Sequence, residues 1–249
     1  MTVRRRIKIA AIIQTRTGST RLPNKVLQDL VGQPMLARVV NRTRRTKKIL
    51  NAVIVATTTQ PSDDAVVRLC KERGWPYFRG SEDDVLDRYY HAASGLKADI
   101  VVRITSDCPL IDPDVIGQVV NKLLDSYPKV DYVSNTLVRT FPRGLDVEAF
   151  VFNALERAWK EDDNPAWREH VTPYIYRHPE KFRLHNVAGP KDYSYMRWTV
   201  DTVEDLAFVR KIYDHFGNDT FSWRDALEVL NAHPEWLEIN RDSRQKVVP

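Results

Sequence analysis

Cysteine is nearly absent from this chain: Cys70 and Cys108 are the only two in 249 residues. Two thiols cannot build a disulfide framework, and neither stands at a metal-ligand spacing, so the composition reads as that of a protein of a reducing cytoplasm. Glycine is sparse as well, and its nine occurrences form neither a G-x-G-x-x-G fingerprint nor a P-loop, which excludes both of those glycine-built nucleotide sites. No apolar run approaches the roughly 20 residues needed to cross a bilayer, so no membrane partner is expected. The basic start Arg4-Arg5-Arg6 leads into an apolar segment broken at Lys8, the pattern of a strand rather than a signal peptide. There is no internal repeat and no low-complexity tract. Glu169-His170 has no second histidine at helical spacing, which removes a zinc motif. The basic residues are dispersed rather than striped and match no nucleic-acid module, so no nucleic-acid partner is expected either.

What is present can fold. Hydrophobic residues make up 43% of the chain, enough for a large core, and the net charge of +5 suits an anionic ligand. Short β-rich apolar runs at 7–13, 52–56 and 100–104 alternate with helical stretches at 34–46, 63–73 and 85–96. That alternation implies right-handed crossovers and an α/β fold with a mostly parallel, Rossmann-like sheet. Ligands of such sheets bind beyond the carboxyl ends of the strands, so the segments 15–25 and 105–112 should face one crevice. In the second half, 113–124 and 151–161 read as helices, 132–134 as a strand, and 182–187 as an antiparallel or edge strand. The closing helices are 202–216 and 222–232, the latter with Ser222 as N-cap, and the polar residues 240–249 read as loose. No linker divides the halves. One domain is expected, with residues 1–112 binding nucleotide and 113–240 binding an acceptor and closing the fold.

The most telling segment is Thr15-Arg16-Thr17-Gly18-Ser19-Thr20-Arg21-Leu22-Pro23-Asn24-Lys25, directly after the first strand. Small residues let backbone N–H groups approach an anion, and Arg16, Arg21 and Lys25 supply charge, which is how a polyphosphate is held. Asp107, just past a central strand and opposite that loop, is placed to hold Mg²⁺, an ion that takes one or two carboxylates plus phosphate oxygens. Asp112 serves better as the cap of the next helix. Asp201, in Val200-Asp201-Thr202, reads by itself as part of a helix N-terminus, and Ser81 as the N-cap of the helix that follows it. Gly144, between Arg143 and Asp146, suits a turn entering a pocket. The basic set Arg42, Arg44, Arg45, Lys47 and Lys48 reads as a solvated helix face, and Cys108 as a small packed residue.

The pattern Arg16-x-x-Ser19-x-Arg21-Leu22-Pro23-x-Lys25, followed by Gly32-Gln33-Pro34-Met35-Leu36, resembles the opening of the cytidylyltransferases that activate sugar acids, the CMP-KDO and CMP-sialic acid synthetases, and in particular their SpsF-like branch. The resemblance implies a fold of the nucleotide-diphospho-sugar transferase type, with a smaller antiparallel acceptor or dimerisation element in the second half. It implies CTP as co-substrate, its phosphates on Arg16, Ser19, Arg21 and Lys25. Asp107 corresponds to one metal-binding aspartate of the family and Asp201, in its V-D-T-x-E-D-L segment, to the second, for Mg²⁺. Arg79 and Ser81 fall beside the ribose and base, while Arg143, Asp146, Glu148, Arg168 and His170 fall where the acceptor is selected. CMP transfer to a sugar acid, in glycan or surface-polysaccharide precursor synthesis by a cytoplasmic homodimer, is the implied activity. A nucleotide-sugar-dependent glycosyltransferase is the alternative, with Asp112-Pro113-Asp114 as its metal motif, although Pro113 reads as the first residue of a helix.

Overall fold

The apolar run at the front becomes the central strand β1 (Ile9–Gln14), and its register explains why it is apolar throughout. Ile9, Ala11 and Ile13 face one core while Ala10 and Ile12 face a second core across the sheet. A strand buried on both faces has no polar side to alternate. The computed structural model describes residues 6–245, so Arg4 and Arg5 of the basic start and residues 246–249 lie outside the described residues.

The strands β2 (Ala52–Thr58), β3 (Tyr77–Gly80), β4 (Ile100–Thr105), β5 (Tyr132–Ser134), β6 (Glu148–Val151) and β7 (Leu184–Asn186) complete a seven-stranded sheet in the order β3-β2-β1-β4-β6-β5-β7. β3, β2, β1 and β4 run parallel to one another. β6 lies antiparallel between β4 and β5, and β7 runs parallel to β5 at the edge. The antiparallel element of the second half is therefore β6, an interior strand, and 182–187 contributes a parallel edge strand. On one face pack α1 (Met35–Arg44), α2 (Asp64–Glu72), α4 (Pro113–Ser126), α8 (Val203–Phe216) and α9 (Trp223–Ala232). The other face carries α3 (Val85–Gly95), α5 (Phe152–Glu161), α6 (Pro165–His170) and α7 (Pro173–Tyr176).

Three local expectations change. α3 is capped by Asp84, whose side chain accepts the Asp87 amide, and Ser81 Oγ instead accepts the Asp84 amide at 3.0 Å. Arg42 is not solvated. It is fully buried, donates to the Ile111 carbonyl at 2.6 Å and lies 3.5 Å from Asp112, because α4 and the chain around Asp219 close over that side of α1. The stretch 240–245 is tied down: Asn240 is buried on Asp205 and the Arg197 carbonyl, and Arg244 offers its carbonyl to Arg21 at 3.0 Å.

Candidate active site

At the carboxyl edge of the sheet the loop after β1 folds back on itself. The amides of Ser19 and Asn24 both donate to the Thr17 carbonyl, at 2.8 and 3.1 Å, and Asn24 takes a left-handed conformation that starts a short 3-10 turn, Lys25–Leu27. The whole loop is pinned from below by Asp63. One of its oxygens accepts both the amide and the hydroxyl of Thr17 at 2.7 Å, and the other accepts the Thr58 hydroxyl at 2.5 Å. Burial alone would raise the Asp63 pKa, but the hydrogen bonds from Thr58 and Thr17 outweigh it and hold the carboxyl below its ordinary value.

This folding delivers Lys25 to the centre of the crevice. Its Nζ lies 3.3 Å from Asp107 Oδ2, 2.8 Å from Asp201 Oδ1 and 2.8 Å from the Val200 carbonyl, which accepts its third hydrogen bond. Asp107 follows the end of β4 by two residues. Asp201 sits in the loop before α8 rather than at a strand end, and the capping box of α8 fixes it: Asp205 accepts the amides of Asp201 and Thr202. Arg21 reaches the second Asp201 oxygen at 2.9 Å and Arg197 reaches the same oxygen at 2.8 Å. Burial pushes the Lys25 pKa down, yet Asp107 and Asp201 more than reverse this and raise it. For Asp201 the signs are opposite: burial raises, Lys25, Arg197 and Arg21 lower, and the carboxyl ends at about 2.

The rest of the crevice frames this centre. Arg16 pairs at 3.0 Å with Glu169 at the end of α6, so the phosphate loop and the second half touch. His170 beside it is half-buried, and burial together with Arg103 lowers its pKa. Arg143 forms an isolated parallel bridge to Arg197, its amide donating to the Met196 carbonyl and its carbonyl accepting the Trp198 amide at 2.6 Å. Gly144 makes that approach possible: its φ is 113°, and a Cβ there would lie 2.6 Å from the Trp198 carbonyl carbon. The bridge joins the turn at Arg143 to the segment that carries Asp201. The Arg143 guanidinium makes no hydrogen bond or ion pair among the described residues, and burial and Arg139 lower its pKa.

Comparison with known proteins gives this site a lineage. The family model for cytidylyltransferases matches residues 10–229. The chain belongs to the cytidylyltransferase family. It is 31% identical over 236 residues to the spore coat polysaccharide biosynthesis protein SpsF of Bacillus subtilis, covering 91% of this chain and 95% of that one. An uncharacterized protein of Methanocaldococcus jannaschii is 40% identical over 242 residues, 96% and 97% of the two chains. A cytidylyltransferase structure from Leptospira borgpetersenii superposes with a TM-score of 0.89 at 33% identity, covering 97% of this chain and 99% of that chain. The 3-deoxy-manno-octulosonate cytidylyltransferase of Trichlorobacter lovleyi is 39% identical over 120 residues, 47% and 46% of the two chains.

Within this cytidylyltransferase fold the remaining candidates are spread unevenly. Ser19 stays in the phosphate loop, its Oγ accepting the Leu22 amide at 3.3 Å. Arg79 lies along the β2 edge, donating to the Thr58 and Gln60 carbonyls and to Asp64, with Ser81 just beyond it. Arg168 is consumed by structure: it donates to Asp84 at 2.8 Å and to the Trp159 and Asp162 carbonyls, which ties α6 to α3 and α5. Glu148 is buried and takes the hydroxyls of Tyr132 at 2.5 Å and Thr172 at 2.6 Å besides an ion pair with Arg103. Asp146 is held by both Nη atoms of Arg139 and by the Gly144 amide. Asp112 is buried as the cap of α4, with Pro113 as the first helical residue, so Asp112-Pro113-Asp114 does not form an open metal motif. Cys108 is packed, and burial pushes its thiol well above the usual range.

Sequence reasoning gave no role to Asp63 or Arg197. Arg197 stands four residues before Asp201, just ahead of the V-D-T-x-E-D-L segment. The signal for Asp63 is absent, because an aspartate just before a helix is fully explained as a helix start.

Proposed function

We propose that this cytidylyltransferase transfers CMP from CTP to a sugar acid or a related acidic acceptor and releases pyrophosphate. The observation that carries the reading is the convergence of Asp107, Asp201 and the Val200 carbonyl on one cation, Lys25 Nζ, at the root of a basic loop. Three hard oxygens around one positive atom would suit Mg²⁺, an ion that takes carboxylates together with phosphate oxygens. Asp107 and Asp201 would hold such an ion jointly with the phosphate oxygens of a nucleotide. When bound, the ion offsets charge that gathers on the α-phosphate.

The chain's own residues then hold and orient. Arg16, Ser19 and Arg21 take the triphosphate tail, and Lys25 turns from the carboxylates to the phosphates as they arrive. Arg143, whose guanidinium lacks a partner, takes the acceptor's anionic group and aims its hydroxyl at the α-phosphorus. The acceptor hydroxyl gives up its proton to solvent as its oxygen forms the new P–O bond in line, and the bond from the α-phosphorus to the oxygen bridging the β-phosphate breaks to release pyrophosphate. Positioning and electrostatics carry such a step without a protein nucleophile. The names of the SpsF and 3-deoxy-manno-octulosonate relatives support an acidic sugar as acceptor and polysaccharide precursors as product.

The test is pyrophosphate release from CTP over a panel of acidic sugars, with nucleoside diphosphate release followed in parallel. Pyrophosphate is expected. Asp107→Ala and Asp201→Ala should each abolish turnover in folded protein, and near-full activity in either variant would sink the metal assignment.

A further inference from the structure

Arg88, on the first turn of α3, is 2% exposed. Its Nε and Nη1 are buried and find no hydrogen-bond partner among the described residues. The other two buried arginines are better provided for: Arg38 donates to Asp219 and the Leu30 carbonyl, and Arg42 donates to the Ile111 and Asp219 carbonyls, its Nη2 alone lacking a hydrogen bond but lying 3.5 Å from the Asp112 carboxylate. A guanidinium cannot shed its proton as a buried lysine can, so leaving it unpaired is strongly unfavourable to the ligand-free fold. Such a residue is retained at the cost of stability where something else supplies the acceptor.

Its position says what that something is. Gly80, the last residue of β3, makes room for the Arg88 stem, since a Cβ there would lie 3.1 Å from Arg88 Cγ. The turn after Gly80 abuts the phosphate loop: a Cβ at Gly18 would meet Glu82 Oε1 at 3.7 Å. Burial lowers the Arg88 pKa, and Arg16 of the phosphate loop lowers it further, while Asp63 and Glu82 act in the opposite direction without pairing. Arg16 is near enough to repel Arg88, and an acceptor oxygen bound beside the two would relieve that repulsion.

We propose that Arg88 is a nucleotide ligand, whose bare N–H groups take an acceptor oxygen of bound CTP where the phosphate loop meets the turn after β3. This rests on the reading of the crevice as the CTP site. The oxygen comes either from a phosphate or from O2 of the pyrimidine, and both present the same acceptor chemistry.

Calorimetric titration of wild type, Arg88→Met and Arg88→Lys with CTP, inorganic pyrophosphate and cytidine, alongside ligand-free melting, decides the matter. Arg88→Met should bind CTP at least about fivefold more weakly while melting no lower than wild type, because it replaces a buried unpaired charge by a hydrocarbon of similar length. Arg88→Lys keeps the charge but not the fork, and should fall between the two. A loss confined to pyrophosphate assigns the phosphate, and one confined to cytidine assigns the base. A smaller loss toward CTP, or a ligand-free Arg88→Met that melts lower, overturns the proposal. Failure of wild type itself to bind CTP would strike the CTP reading instead.

Discussion

Asp201→Asn isolates the charge that organises the crevice while keeping its shape. In the native chain three cations address one carboxylate: Lys25 on one oxygen, Arg21 and Arg197 on the other, at 2.8 to 2.9 Å. They hold its pKa at about 2 against an ordinary 3.8. That difference corresponds to about 2 kcal/mol of folding stability at neutral pH. Because the folded value is the lower one, the contribution is fully present above the unfolded pKa. It is lost as pH falls from about 4 toward 2. Asp201→Asn should therefore lower stability by about 2 kcal/mol at pH 7, or the Tm by about 4–8 °C for a chain of this size. The two proteins should converge as both are titrated toward pH 2. Urea unfolding of each protein at a series of pH values is the assay. A difference that is absent at pH 7, or that does not shrink on acidification, would refute the electrostatic account.

Lys25→Met removes the ammonium that stands between Asp107 and Asp201. Its affinity for CTP should drop by about 2–3 kcal/mol by calorimetry. In the absence of nucleotide it should bind Mn²⁺ more tightly than wild type, read from the free-Mn²⁺ EPR signal; equal Mn²⁺ binding would contradict the geometry. Gly144→Ala must place a Cβ against the Trp198 backbone at a φ of 113°. The bridge between Arg143 and Arg197 should open, and both the Tm and turnover should fall; a fully active variant with an unchanged Tm would dissociate the two segments.

The parallel half of the sheet was legible because its strands are buried on both faces and leave a bare apolar signature. β3 was not, since a four-residue strand with partly exposed side chains carries too little pattern. Lys25 and Asp107 were legible because each stands in a loop that follows the end of a strand; Asp201 by itself reads as a helix start, and only the family likeness of its segment singled it out. Arg42 and Arg88 were read past for the opposite reason. A basic residue on an amphipathic helix gives the same sequence signal whether its head reaches water or is roofed over by a distant segment. Only contacts between elements far apart in the chain decide which. Arg168 erred in the other direction, its motif neighbourhood suggesting substrate while Asp84 and two carbonyls already claim it.

The path of the last described residues bears on how the protein should be handled. Arg244 lends its carbonyl to Arg21, Gln245 its side-chain oxygen to Arg197, and Ser243 its hydroxyl to Thr202, so residues 243–245 lie beside the residues that grip Asp201. At the other terminus Lys8 bonds through its amide to Asp99, just ahead of β4 and at the opposite rim of the sheet. A fluorescent label placed at Gln245 would therefore sit at the phosphate end of the crevice, beside Arg21 and Arg197. The same label placed at Lys8 would sit at the opposite rim of the sheet, away from the reaction edge.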